Sequence, residues 1–163
     1  MNRYRMLLAW LVNGGAHGST SRLDCGSTAL CGVLALETGL GPGRYEHSTP
    51  SVHGLWPATG AYGTSACRAP SRSDANPTSP FSCYETGDSH QIQFEEHEWQ
   101  KHGRCAGVKD ATDFFSQVCE LSHAPLAVMS TSRMAGRTLV YDFASDLAGR
   151  GFPVYSNDSR HGQ

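Results

Sequence analysis

Apolar residues in the first part of this chain occur in short runs separated by long polar stretches. Residues 33–36 form a run of strand length, and residues 51–55 predict a second strand after the turn-rich stretch 39–50. Residues 91–94 predict a third strand that leads directly into the polar octet 96–103, whose final glycine is well placed to end a helix.

Downstream, the spacing of apolar positions becomes that of helices. Asp110 or Thr112 can cap a helix whose apolar face lies within residues 114–121. Residues 142–148 predict a shorter helix, and residues 153–155 begin what should be a further strand.

The octet 96–103 reads EHEWQKHG and is dense in side chains that transfer protons. In a helix, residues three and four apart share a face, so His97 would lie over Lys101. By the same spacing, Glu98 would lie over both Lys101 and His102. The octet has too few apolar residues to bury a full stripe, so this face would meet a cleft or water. For the octet alone, a solvated helix with ion pairs is an equally good interpretation.

Length and composition are those of one globular domain with many loops. The chain has 163 residues, 39% of them hydrophobic, with 18 Gly and 8 Pro. Residues 58–86 are rich in Gly, Ser, Pro, Thr and Ala, and predict a loop too long to be only a connector. The net charge of -2 provides no broad cationic face, so any contact with nucleic acid must be local.

The N-terminus has the features of an export signal. Two arginines precede an apolar run at residues 6–12, and residues 16–18 offer a small-x-small cleavage site. We therefore expect residues 1–18 to be a signal peptide and residues 19–163 a single secreted or periplasmic domain. A buried first strand is the alternative for so short a run. No segment is long enough to span a bilayer.

Six cysteines at wide spacings support the same compartment. They include no repeated CxxC pair of the kind that binds zinc. Up to three disulfides formed in an oxidising environment are the better interpretation.

A second notable segment, HGLWP, occupies residues 53–57. His53 would offer a proton donor beside the flat stacking surface of Trp56, with Gly54 giving access. Taken alone, His53 is more often a structural histidine than a catalyst. The segment therefore has to be considered together with the octet.

HGLWP and the downstream HEWQKHG closely resemble the two active-site signatures of the ribonuclease T2 family. The resemblance covers about residues 25–163 and implies an α+β fold, with a central antiparallel sheet flanked by helices. It also implies a metal-independent endoribonuclease that acts on single-stranded RNA as a monomer and needs no cofactor. Family members continue into a further C-terminal strand with a cysteine, which this chain is expected to lack.

Two histidines of opposite protonation state suit the chemistry of such an enzyme. Cleavage of RNA by its own 2′-hydroxyl requires a base for that proton, an acid for the leaving 5′-oxygen, and cations for the phosphorane. The resemblance implies that His102 is the general base and His53 the general acid. It assigns transition-state stabilisation to Glu98 and Lys101, and phosphate binding to His97. The products would be a 2′,3′-cyclic phosphate and then 3′-phosphate ends.

Aromatic side chains are the expected base-binding surfaces, since single-stranded RNA is usually held by stacking. The resemblance places Trp56 at the 5′ base and Phe94 at a wall of the second base site. Tyr62 is a further candidate for the first base, whereas Trp99 is predicted to lie in the core. Ala58 stands where some members carry an acidic residue that contacts the base, so low base specificity is expected.

The resemblance also bears on the disulfides. It implies a bridge between Cys67 and Cys105, which ties the long loop to the octet. Cys25–Cys31 is then the expected local pair, and Cys83–Cys119 follows only by elimination.

Two other functions stay open on the sequence. A zinc hydrolase could use the histidines and Glu98, but the octet has HExxxH rather than the HExxH spacing that aligns two ligands, so no metal site is predicted. A secreted RNA-binding remnant would keep the fold without turnover, although every signature acid and base is present here.

Overall fold

The computed structural model describes residues 32–57, 67–84, 90–155, 157–160 and 162–163. These residues form an α+β fold with a two-stranded antiparallel sheet and three helices, which confirms the predicted fold class. In chain order the elements are β1 (Gly32–Glu37), β2 (Ser51–Pro57), α1 (Gln91–Lys101), α2 (Ala111–Met134) and α3 (Val140–Gly149). Short 3-10 turns lie at Gly43–Tyr45 and Gly103–Cys105.

The two strands pair antiparallel, and one β-bulge interrupts their register. Ala35 on β1 pairs with Gly54 on β2. The next residue of β1, Leu36, pairs with Val52. His53 is therefore an extra residue on β2. Such a bulge bends the strand and re-aims a side chain, which is why bulges are frequent next to active sites.

Helix α1 begins earlier than the sequence indicates. The strand predicted at residues 91–94 is wrong, because these residues form the first turn of α1. Gln91 donates its side-chain amide to the Glu95 carboxylate four residues on (2.9 Å), a contact that suits helical spacing. So short an apolar run does not by itself distinguish a strand from a helix. The helix ends at Lys101, and His102 has left helical geometry.

Helix α2 begins at the predicted cap and provides one wall of the core. The Asp110 carboxylate accepts a hydrogen bond from the backbone N–H of Asp113 (2.9 Å), as an N-cap does. The predicted apolar face is confirmed, because Phe114, Phe115 and Val118 are all buried. The helix then continues to Met134.

Helix α3 buries Phe143 and packs against α2. The strand predicted at residues 153–155 is wrong, because these residues have no strand structure and Val154 and Tyr155 are exposed. A strand is stable only beside partner strands. Within the described ranges, the sheet consists of β1 and β2 alone, and neither pairs with this segment.

The core lies between the sheet, α1 and α2, with Trp99 at its centre. Trp99 is fully buried, as predicted, and its indole N–H donates to the backbone oxygen of Asp74 (3.1 Å). The other core residues are Val52, Leu55, Tyr84, Ala106, Val108, Ala111, Phe114, Phe115 and Val118. Because Trp99 belongs to the octet, this packing fixes the position of α1.

Residues 67–84 contain no helix and no strand of the sheet, and cross-links hold them in place. Disulfides join Cys67 to Cys105 and Cys83 to Cys119. The backbone N–H of Val52 also donates to the Cys83 carbonyl (2.9 Å). The loop is thereby attached to the end of α1, to α2 and to β2.

Several sequence predictions concern residues outside the described ranges. They are the signal peptide at residues 1–18, the Cys25–Cys31 disulfide and the base-binding role of Tyr62. Within the described ranges, no helix is both long and apolar enough to cross a membrane.

Candidate active site

His53 and Trp56 of the HGLWP segment lie side by side at β2. Both are partly exposed, whereas the other residues of the strand are buried. On a regular strand, side chains three residues apart point to opposite faces. Here the bulge breaks that alternation, and the two rings meet edge to face with centroids 5.6 Å apart.

Gly54 lets the two motifs touch. A Cβ atom on Gly54 would lie only 1.9 Å from Oε2 of Glu98, so a larger residue would collide with this carboxylate. The Trp56 indole N–H donates to the same oxygen (3.3 Å). Glu98 on α1 is therefore held directly against β2.

The charged side chains of the octet lie at different depths. Glu98 is 2% exposed and lies next to the buried Trp99, whereas His97 and Lys101 are exposed. The prediction that Glu98 shares an open polar face with Lys101 is therefore wrong. The buried residues of α1 are Glu95, Glu98 and Trp99, which lie at helical spacing on its inward face. Such a face is usually apolar, but here two of the three side chains are carboxylates.

Burial changes the protonation of Glu98. Removal from water raises its pKa above the ordinary value, and the negative charge of Glu37 acts in the same direction. The charge of His53 and the hydrogen bond from Trp56 oppose this effect without cancelling it. Glu98 therefore keeps its proton to a higher pH than an exposed glutamate does.

His102 is set up to accept a proton. Its pKa is lowered to about 4, mainly because burial disfavours the charged ring. The positive charges of His97, His53 and Lys101 lower it further. The ring, whose centroid is 5.8 Å from that of Trp56, is consequently neutral in mildly acidic and neutral solution.

His53 lies in the opposite electrostatic setting. Its Nδ1 atom is 2.6 Å from Oε1 of Glu37, a carboxylate at the end of β1. Phe94 meets the ring edge to face at 5.1 Å between centroids, and Tyr45 stacks against it at 6.0 Å.

Three neighbours of His53 were not identified from the sequence: Glu37, Tyr45 and Gln163. The sequence does mark Glu37, because a charged residue directly follows the apolar run of a strand. In the structure Glu37 is only 6% exposed. Tyr45 and Gln163 belong to segments that no periodic pattern marks. The Gln163 side chain places its Nε2 atom 2.9 Å from His53 Nδ1. With Nδ1–H directed to Glu37, the amide must turn by about 180° to present its oxygen, because two donors cannot pair.

The remaining predicted residues lie around the two histidines. His97 and Lys101 are exposed on α1, and Phe94 lies between His53 and the core residue Tyr84. In the part of the chain that the structure describes, no three His, Cys, Asp or Glu side chains are grouped closely enough to hold a metal ion.

Comparison with known proteins agrees with this geometry. The model of the Ribonuclease T2 family matches residues 28–132, which is more than half of the 163-residue chain. No curated protein and no solved structure matches the chain. The range matched by the family model contains both the HGLWP segment and the octet. Because this model covers more than half of the chain, the chain belongs to the ribonuclease T2 family.

Proposed function

We propose that this protein is an endoribonuclease that cleaves single-stranded RNA by transphosphorylation. One observation carries the proposal: two histidines contact the same indole and lie in opposite electrostatic settings. His53 faces the carboxylate of Glu37, whereas His102 is half-buried among positive charges. Such a pair suits a reaction that needs an acid and a base together.

In the proposed reaction, neutral His102 takes the proton of the 2′-hydroxyl. The freed 2′-oxygen attacks the phosphorus atom, and the bond to the 5′-oxygen breaks as His53 gives that oxygen its proton. The product is a 2′,3′-cyclic phosphate and a new 5′-hydroxyl end. Water then opens the ring with the two histidines in exchanged roles, which leaves a 3′-phosphate.

Charge builds on the phosphoryl oxygens during the attack, and α1 supplies groups to stabilise it. Lys101 offers a point charge, and His97 is placed to bind the phosphate. Glu98 has a raised pKa because it is buried, and so it can donate a hydrogen bond to a phosphoryl oxygen. These functions need no metal ion.

Substrate bases would be held by stacking. Trp56 and Tyr62 are proposed for the base on the 5′ side, and Phe94 for the second base. Stacking tolerates every base, so low base specificity is expected. The two disulfides fit an oxidising compartment, and we propose that the protein is a secreted or periplasmic monomer.

The test is digestion of single-stranded RNA in the presence of a strong chelator, with the ends analysed by mass spectrometry. We expect undiminished cleavage and 2′,3′-cyclic phosphate ends. His53→Ala and His102→Ala should each lose at least about 100-fold in kcat.

Intact RNA from pH 4 to pH 8 with folded protein would reject the enzyme and favour an RNA-binding remnant. Activity that the chelator abolishes and zinc restores would favour a metal hydrolase instead. Near-normal rates in either histidine variant would overturn the assignment of acid and base.

A further inference from the structure

Glu37 lies behind the site and is shared by two histidines. Its Oε1 atom is 2.6 Å from His53 Nδ1, and its Oε2 atom is 2.9 Å from His47 Nε2. An ionised carboxylate can only accept hydrogen bonds, so both ring nitrogens must carry a proton. Burial tends to raise the pKa of Glu37, but the hydrogen bonds from His47 and His53 hold it below the ordinary value.

The two contacts of His47 fit an imidazolium. Its Nδ1 atom lies 2.6 Å from the backbone oxygen of Thr49, and a carbonyl oxygen also only accepts. A neutral imidazole has one N–H and cannot donate to both acceptors. The side chain of His47 is 3% exposed, so the cation is buried against its carboxylate. A buried charge of this kind persists only when it is paired.

The contact with Glu37 also determines the tautomer of His53. With Nδ1–H directed to Glu37, Nε2 is the ring nitrogen left to carry the proton that the reaction uses. Carboxylates that orient an imidazole in this way act through the histidine and need no contact with substrate.

We propose that His47, Glu37 and His53 form one hydrogen-bonded chain in which Glu37 positions His53 and His47 positions Glu37. The proposal deepens the proposed function, because it rests on His53 as the general acid. Both side chains are buried behind His53, so they would act through that ring as positioning residues.

The charges of the chain also act on the His53 ring. The Glu37 carboxylate is the negative charge in contact with it, and a cation at His47 would offset part of that charge. Other charged groups face the chain from α1 and α2. The Arg133 guanidinium donates to the backbone oxygens of Thr38 (2.8 Å) and His47 (2.9 Å), and Glu98 acts on both Glu37 and His53.

The two positioning residues should therefore have opposite effects. Glu37→Gln removes the negative charge and should lower the pH at which the basic limb of kcat falls. His47→Gln removes the positive charge and should raise that pH. Glu46→Gln is the matched control, because Glu46 is an exposed carboxylate in the same segment.

The experiment is nitrogen-15 NMR of the histidine rings across pH, combined with the pH dependence of kcat on RNA. In the wild-type chain, both nitrogens of His47 should be protonated at pH 7. The basic limb of kcat should move down in Glu37→Gln, up in His47→Gln, and not at all in the control.

A neutral His47 ring at pH 7 in the wild-type chain would overturn the proposal. This NMR measurement does not depend on whether any variant folds. An active enzyme whose basic limb stays fixed in both variants would also overturn it while leaving the proposed function intact. If His47 is an imidazolium but RNA is not cleaved, the proposed function fails and the hydrogen-bonded chain stands.

Discussion

At the scale of single residues, His102 decides the pH range in which this site can work. Burial and the nearby charges of His97, His53 and Lys101 lower its pKa to about 4. A general base must be neutral in the free enzyme. The ring of His102 remains neutral at a pH where an ordinary histidine is already protonated.

We therefore expect the acid limb of kcat/KM to lie near pH 4, below the ordinary histidine value of 6.5. Removing a neighbouring positive charge with His97→Gln should move this limb to higher pH. The measurement is kcat/KM on a short RNA from pH 3 to pH 8. An acid limb near 6.5 in the wild-type enzyme would show that His102 is not the base in this environment.

The residue types of the site could be recognised from the sequence, but their depths and partners could not. The octet gives the spacing of His97, Glu98, Lys101 and His102, yet nothing in it shows that Glu98 is buried. Glu98 is buried because Gly54 leaves space for its carboxylate beside β2. That space depends on contacts between residues far apart in the sequence.

At the scale of elements, the bulge in β2 and the glycine beside it arrange the site. The bulge places His53 next to Trp56, and Gly54 lets α1 approach the strand. Both features act through backbone geometry. The chemistry of the site thus depends on the distance between β2 and α1.

Substituting Gly54 tests this dependence. In Gly54→Ala the added methyl group would displace the Glu98 carboxylate and break its hydrogen bond with Trp56. We expect a loss of about 1 to 3 kcal/mol in the free energy of unfolding. We also expect kcat to fall by about ten- to a hundredfold.

Gly149→Ala is the matched control, because a Cβ atom on Gly149 would meet no atom within 4 Å beyond its chain neighbours and the backbone of its own helix. It should leave kcat unchanged and alter the free energy of unfolding by about 1 kcal/mol at most. Urea unfolding and steady-state kinetics measure both quantities. A Gly54→Ala enzyme with wild-type kcat would show that this approach of α1 to β2 is not needed.

The helix predicted from a cap and an apolar face agrees with the structure, whereas short apolar runs had mixed outcomes. The runs 33–36 and 51–55 are strands, as predicted. The α2 prediction rests on a cap at Asp110 and an apolar face, and it is confirmed. The strand predictions at residues 91–94 and 153–155 rest on three or four residues and are wrong. In such short runs, packing on neighbouring elements decides the structure.

At the scale of the whole molecule, two disulfides hold the long loop against the site. The Cys67–Cys105 bridge closes a sequence separation of 38 and attaches the loop just beyond His102. The Cys83–Cys119 bridge closes a separation of 36 and attaches it to α2. The two bridges are therefore similar in loop length but different in distance from the site along the chain.

Removing Cys67–Cys105 by the double change to Ala should lower the free energy of unfolding by about 4 kcal/mol. Removing Cys83–Cys119 should have a similar effect on stability, because the closed loops are of similar length. Only the first change should also lower kcat when measured on folded protein, since Cys105 ends the 3-10 turn that directly follows His102. Equal kcat in both double variants would contradict this structural role.

The family and the pairing of the two motifs could be predicted from the sequence, because HGLWP and HEWQKHG are specific and occur in order. The family comparison over residues 28–132 supports that prediction. The contacts that join the motifs could not be predicted, since Trp56 meets both His53 and His102 only in the folded chain.

The most direct measurement of the central claim, that His53 is the acid and His102 the base, uses two substrates. One is a dinucleotide, whose 5′-oxygen must be protonated as it leaves. The other is a nucleoside 3′-(4-nitrophenyl phosphate), whose leaving group departs without a proton. We expect His53→Ala to cleave the aryl ester at nearly the wild-type rate but the dinucleotide hardly at all, and His102→Ala to cleave neither. Equal losses on both substrates in His53→Ala would contradict it.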